Sequence, residues 1–398
     1  MKSPTKLMSF PLLGACFLPV AASAAPMVAI GDNAALFLTG VAEIRYEDNV
    51  FRDRTGRVDD FRFRFEPGVE LQFGSGLAQA SFFASAEVVR WADESDLNDE
   101  FLHLLFNASL DESVYRINFH ARYDERATND MDANLQARLL EREETALGVN
   151  GRYMFTNLTS MGLGFNYDRR EYKQNNASGH ESYSIPVSGY YQISPGLDAQ
   201  VGYVYRRVDV LNPFVQGINQ DYRDNSVYVG AVGQMGSPMW VGDVKVGWTQ
   251  RKFLERQVQT IFGPMTVPSR TLDSMTYDVG LTYNAVNSSH TLRVERDYLN
   301  SVVGGRNFSR AQISFGSRFQ LQPMWSANTM IGYNRSDYSG IDRRDDSYFL
   351  RAGLVYNPNE YVRFSASLTH QRVDDNDRVD AGSDYRVNIL SVSASLRY

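Results

Sequence analysis

Five histidines, His103, His120, His180, His290 and His370, are the side chains best suited to acid–base or metal chemistry, and they are scattered without the short spacing of a metal-ligand pair. No Gly-x-Ser-x-Gly turn offers an activated serine. The sequence therefore predicts no catalytic residue, no metal and no cofactor. A barrel enzyme that joins a Ser and a His from neighbouring strands stays as an alternative. Its first candidate is His120, between Asn118 and Arg122, although a lumen side chain is the reading taken for it. The carboxylates Asp374, Asp375, Asp377, Asp380 and Asp384 invite calcium, but the run lacks the Gly and closing Glu of a calcium hand, and solvated loop charge is the reading taken. The larger chemical signal is charge on alternate positions: Glu43, Arg45, Arg62, Arg64, Glu66, Glu70, Arg116, Arg122, Glu144, Arg152, Asp243, Lys245, Asp278, Arg293, Glu295, Arg310, Arg318, Arg351 and Arg363. So many charges of both signs are prohibitive in a dry core and tolerable in a water-filled passage, so the set is predicted to line a pore. For any one of them the competing role is a wall-bracing ion pair.

Alternate positions share one face of a strand, so strands must carry these residues. Phe61, Phe63, Phe65, Pro67, Val69, Leu71 and Phe73 fall opposite Arg62, Arg64, Glu66, Gly68, Glu70 and Gln72. The same apolar-against-polar alternation runs through residues 36–47, 115–123, 275–283 and 390–398. Short turns such as Gly74-Ser75-Gly76, Ser194-Pro195-Gly196 and Gln322-Pro323 alternate with long polar loops such as Asp48 to Asp60, Asp124 to Glu143, Lys252 to Asp273 and Arg372 to Asp384. This is a chain of antiparallel hairpins with tight turns at one end. The count is about 18 strands (16 to 18), each with roughly 10 residues in the membrane. A soluble sandwich would use strands about half as long and hide its apolar rows. Turning those rows to lipid and closing the sheet satisfies every backbone edge. The expected fold is all-β, a transmembrane antiparallel up-and-down β-barrel over residues 25–398, with short periplasmic turns and long extracellular loops. Aromatics near segment ends, Tyr46, Trp91, Tyr153, Tyr172, Trp240, Trp248, Tyr298, Trp325, Tyr338 and Tyr356, are expected in interfacial girdles. Within the loop 124–143, Met131 to Glu144 favours helix, with Leu135, Leu139 and Leu140 on one side, either constricting the lumen or capping the loop outside.

Residues 1–24 read as a signal peptide: Lys2 and Lys6, an apolar run from Leu7 to Val20, and Ala22-Ser23-Ala24 before the cut. A lipoprotein signal ending at the lone Cys16 ranks below it. Cleavage after Ala24 leaves an acidic chain without cysteine, and the whole sequence has a formal charge of -7 without Lys/Arg blocks, which argues against nucleic acid as a partner. Lipid and lipopolysaccharide of the bacterial outer membrane and the barrel assembly machinery are the expected partners. The machinery's C-terminal signal is matched by the alternating apolar residues ending on Tyr398, with Tyr where Phe is more usual.

The segments Tyr46-Glu47-Asp48-Asn49-Val50-Phe51-Arg52 and Phe65-Glu66-Pro67-Gly68-Val69-Glu70-Leu71 resemble the outer-membrane porin family known as β-barrel porin type 2. The resemblance implies a channel associated with exopolysaccharide production and export, with polysaccharide as cargo and a periplasmic export partner. A general small-solute diffusion porin, a non-conducting barrel serving as adhesin or scaffold, and an outer-membrane barrel enzyme are the alternatives.

Overall fold

The computed structural model describes residues 26–398 except 32, 75, 129–139, 174–177, 212–220, 261–262, 301–306, 339–342 and 376–383. The signal stretch lies outside the described residues, as do Met131 to Leu139 of the helix-favouring loop. After a short β1 (Val28–Ile30), the first half of the wall is β2 (Ala34–Glu47), β3 (Asp60–Phe73), β4 (Ala78–Trp91), β5 (Asp99–Asp111), β6 (Tyr115–Thr128), β7 (Leu140–Met154), β8 (Thr159–Tyr172), β9 (Gly179–Ser194) and β10 (Leu197–Leu211). It continues through β11 (Tyr222–Gln234) and β12 (Trp240–Phe253), is interrupted by a small hairpin of β13 (Arg256–Thr260) and β14 (Gly263–Val267), and resumes with β15 (Arg270–Asn284). The last strands are β16 (Ser288–Asn300), β17 (Asn307–Gln322), β18 (Trp325–Tyr338), β19 (Arg344–Tyr356), β20 (Val362–Asp375) and β21 (Tyr385–Arg397).

Each wall strand pairs antiparallel with its sequence neighbour, and β21 returns to β2 in the register Thr39↔Arg397 to Glu47↔Ile389. Backbone bonds between Leu38 and Tyr398 at 2.6 and 2.8 Å complete the join. The result is a closed barrel of 18 strands. Closure removes the sheet edges that hydrocarbon cannot hydrogen-bond. One ladder is short: β15 and β16 pair only from Tyr277↔Arg296 to Asn284↔Ser289, and above that the Arg251 guanidinium donates to the Tyr298 carbonyl at 3.3 Å.

The apolar rows point outward. Phe61 and Phe63 are 48% and 45% exposed, whereas Arg62 between them is 1% exposed. The polar rows lie on the concave side: Arg152 on β7 meets Asp198 on β10 at 2.6 Å. Three strand spacings separate those strands, roughly 14 Å of wall, and side chains converge across such a span only toward the cylinder interior.

Toward the long-loop end the polarity of each strand inverts. On β4 the outward row runs Phe82, Ala84, Ala86, Val88 and then Arg90, while the inner row runs Ser85, Glu87 and then the buried Val89 and Trp91. On β12, outward Val246 and Trp248 give way to Gln250 and Lys252, and inward Lys245 and Thr249 to Arg251 and Phe253. Below the switch the barrel is dressed for lipid; above it, for water with a packed interior. Outward ion pairs such as Arg169–Glu171, Arg207–Asp209 and Arg372–Asp374 sit on the watery side.

This inversion corrects three expectations. The strands are 13 to 16 residues long, because pairing continues above the apolar band into segments whose charges read as loop. Leu140 to Glu144 begin β7 and are not helical, and Lys252 to Asp273 contains the β13–β14 hairpin and the start of β15. Trp91, Tyr172 and Tyr338 are buried rather than placed in a girdle, while Tyr153, Trp240 and Trp248 are 49%, 44% and 51% exposed. Tyrosine hydroxyls mark the switch level instead: Tyr123 donates to Glu125 at 2.7 Å and Tyr46 to Asp59 at 3.0 Å.

Candidate functional site

The inner wall carries the charges that the sequence marks for a pore, and most are knitted together. On β2 and β3, Glu43 receives Arg45 at 2.8 Å and Arg62 at 2.9 Å, with Arg64 at 4.0 Å, and Arg64 also meets Glu66 at 3.2 Å. The loop after β2 completes this cluster from above. Arg52 holds a left-handed backbone (φ 63°), where its guanidinium reaches Glu47 at 3.1 Å and the Asn49 carbonyl. Asn49, fully buried, donates to the carbonyls of Asp53 and Arg386. Asp48 accepts the backbone and side-chain N–H of Asn388 at 2.6 and 2.5 Å, on the strand that closes the barrel. Val50 packs on Val89, Trp91 and Phe101 of the inner rows. The loop therefore folds inward over the wall, and burial pushes the Asp53 carboxyl up from its ordinary range. The Tyr46 to Arg52 segment is thus a clamp across the closing seam.

A second network centres on Glu144, 2% exposed, which gathers Arg122 at 3.1 Å, Arg126 at 3.3 Å, Arg142 at 3.2 Å and Arg170 at 2.8 Å from β6, β7 and β8. A third joins β10, β11 and β12: Asp224, almost fully buried, takes Arg206 at 2.6 Å and Arg251 at 2.8 Å, and the Arg251 guanidinium lies 3.9 Å from the Tyr222 ring centre.

Nearer the short turns the pairs are wetter. Glu70 binds Arg397 at 3.0 Å across β2. Arg152 lies over the Tyr190 ring, 4.1 Å from its centre. Asp243 accepts from Lys245 at 2.5 Å and Gln200 at 2.8 Å. Arg293 bridges Asp278 at 3.3 Å and Glu295 at 2.8 Å. On the long-loop side Arg310 reaches Ser336 at 3.5 Å, at mid-strand Arg351 reaches Thr369 at 3.3 Å, and toward the short turns Arg318 is half-buried on β17. Arg116 and Arg363 sit exposed at the short-turn rim, bound to Asp111 at 2.7 Å and Asn357 at 3.0 Å. Hydroxyls fill the rows between charges: Ser226 to Thr249 at 2.8 Å, Thr282 to Thr291 at 3.1 Å, Ser365 to Ser393 at 2.7 Å and Ser188 to Tyr228 at 2.7 Å. A cavity of about 440 Å³ opens on this wall beside Arg206, Thr249, Asp278, Arg293, Glu295 and Gln312.

Glu87, Asp124, Arg126, Arg142, Arg170, Arg206, Asp224 and Arg251 join these networks although the sequence reading does not single them out, and Glu47, on the polar row of β2, is not counted in the pore-lining set. The signal was present, since Asp124-x-Arg126 and Arg142-x-Glu144 continue the alternation of β6 and β7 past the last apolar residue. His120 lies against Gly148, where a Cβ would meet its ring at 2.0 Å, so a glycine there leaves room for the imidazole. His180 contacts Asp168 at 3.1 Å, His290 contacts Ser317 at 2.9 Å, and His370 contacts Asn388 at 2.7 Å. His103 differs, set between Asp124 at 2.5 Å and Glu87 at 3.1 Å. Of the aspartates considered for calcium, Asp374 binds Arg372 at 2.8 Å and Asp384 accepts the Asp375 N–H at 2.6 Å; Asp377 and Asp380 lie outside the described residues.

The family model described as "Putative beta-barrel porin 2" matches residues 41–398. Among solved structures the chain is similar to OccK2 (OpdF) of Pseudomonas aeruginosa, at 12% identity over 92% of this chain and 98% of that one, with a TM-score of 0.50. It is also similar to the outer membrane protein OpdK of the same organism, at 12% identity over 91% and 99% of the two chains, TM-score 0.49. A third is OccAB4 of Acinetobacter baumannii, at 10% identity over 92% and 98%, TM-score 0.47. No curated protein matches the sequence. At such identities likeness to a solved structure speaks to fold alone.

Proposed function

Since the chain belongs to the beta-barrel porin 2 family and is a porin-like barrel of the bacterial outer membrane, we propose that it is a channel for a polysaccharide leaving the cell. The observation that carries this reading is the composition of the inner wall, where hydroxyl ladders alternate with paired charges and a few inward aromatic rings. Such a surface exchanges hydrogen bonds with sugar hydroxyls at many equivalent points, as water does. A threading polymer thus finds no deep well to stall in. Paired charges serve the same end, because an ion pair already satisfied holds a passing solute less firmly than a bare charge. In this reading the nineteen side chains from Glu43 to Arg363 that the alternation singles out line the passage, polysaccharide is its cargo, and a periplasmic export protein delivers it. The wall acts by solvation, not by bond-making, so the protein is read as a channel and not as an enzyme.

Single-channel conductance of the purified protein in planar bilayers tests the reading. Cell-surface polysaccharide from the producing strain should block the current reversibly, and a deletion strain should lose surface polysaccharide while small-solute uptake is unchanged. Free passage of small solutes unaffected by the glycan would replace export by general diffusion. No conductance under any condition would make the barrel a scaffold.

A further inference from the structure

Glu66 on β3, Glu87 on β4 and His103 on β5 stand side by side on the inner wall, and one ligand atom from each lies within 4.8 Å of the other two. Glu87 is 1% exposed, on the same inner row as Val89, just below the apolar cluster that Val50 seals. The His103 ring is held from behind: its Nδ1 lies 2.5 Å from Asp124 Oδ1 on β6, which directs Nε2 toward Glu87 Oε2, 3.1 Å away. Asp124 is itself anchored by Arg126, and Glu66 is steadied by the Ser85 hydroxyl at 2.9 Å.

We propose that Glu66, Glu87 and His103 form a binding site for a divalent cation of the zinc class. Two carboxylates and one imidazole are the donor types that such ions take, and three protein ligands leave one position open to water or cargo. Calcium and magnesium fit poorly, since they seek six or more oxygens. A carboxylate on the far nitrogen of a ligating histidine fixes the ring and raises its basicity, and Asp124 occupies that place, so it is the positioning residue. The four side chains come from four consecutive strands, so a bound ion would tie the wall together directly beneath the inward-folded loop 48–59. The competing arrangement puts a proton where the ion would sit, with an imidazolium bridging Glu87 and Asp124.

The two separate by metal content. The full-length barrel, purified in detergent, stripped with chelator and then given zinc chloride alone, should retain about one zinc per folded barrel. Glu87→Gln and His103→Ala should abolish retention, and Asp124→Asn should weaken affinity by roughly 10- to 100-fold. His120→Ala and His370→Ala should bind as the parent does. Cobalt in place of zinc should give a visible d–d absorption that His103→Ala removes. Folding is checked by the heat-dependent gel mobility of the barrel, and if a buried variant fails to fold, the half-buried Glu66→Gln takes its place. Folded parent barrel without zinc, or zinc that persists in Glu66→Gln and Glu87→Gln together, overturns the site.

Discussion

At the scale of single residues, this barrel wall separates charges that are solvated from charges that are satisfied only by each other. Arg251 is fully buried and its carboxylate partner Asp224 is 1% exposed. With the Tyr222 ring against the guanidinium, neither has water to fall back on. Asp224 also holds Arg206 at 2.6 Å, so it is loss of the shared carboxylate that strands a buried charge, which costs about 3–5 kcal/mol in buried pairs. Asp224→Ala should therefore lower barrel stability by that order in urea unfolding from lipid vesicles. Lys245→Ala, in a pair that retains access to solvent, should cost no more than about 1 kcal/mol. Equal losses in the two variants would mean that the upper wall is as wet as the lower. His103 makes the same point for chemistry. Its linear neighbours suggest nothing, and its meaning comes from Glu66 and Glu87 at hairpin distances in sequence.

At the scale of the strand, the informative feature is the level at which each row changes character. Val229 on β11 is 62% exposed in the apolar band, and Arg223 on the same outward row lies six positions closer to the long loops. A charge facing lipid near mid-membrane costs about 2–4 kcal/mol, falling toward zero at the interface. Val229→Arg should show that penalty in vesicle unfolding, while Arg223→Ala should stay within about 0.5 kcal/mol of the parent. A large effect at Arg223 would place the bilayer boundary higher than the inversion does. The Asp48–Asn388 clamp has a related logic, because β2 and β21 close the barrel with a nine-residue ladder, and the side-chain bonds above it extend the join without further strand.

For the molecule as a whole, the loop after β2 folds inward over the inner wall. Val50 is wholly buried among Val89, Trp91 and Phe101, and a carboxylate placed there loses water without gaining a partner. Val50→Asp should release the loop from the inner wall and raise single-channel conductance in planar bilayers while leaving the barrel folded. Unchanged conductance would show that the narrowest passage lies elsewhere. The loop 124–143, read as either constricting the lumen or capping the loop outside, has its centre outside the described residues, and its C-terminal part belongs to β7.

The architecture was legible in the amino-acid order because a strand's side chains alternate with a period of two, and lipid on one side with water on the other makes that period visible as composition. Phe61 to Phe73 against Arg62 to Gln72 is enough to state which face meets acyl chains. Strand ends were not legible, since above the membrane both faces become mixed and the backbone pairing that continues there leaves no trace in hydropathy. The inward course of Val50, the gathering of four arginines on Glu144 and the meeting of Glu66, Glu87 and His103 were decided only by tertiary structure. They depend on the register between strands and on the curvature of a closed wall, which brings together residues that no local spacing connects.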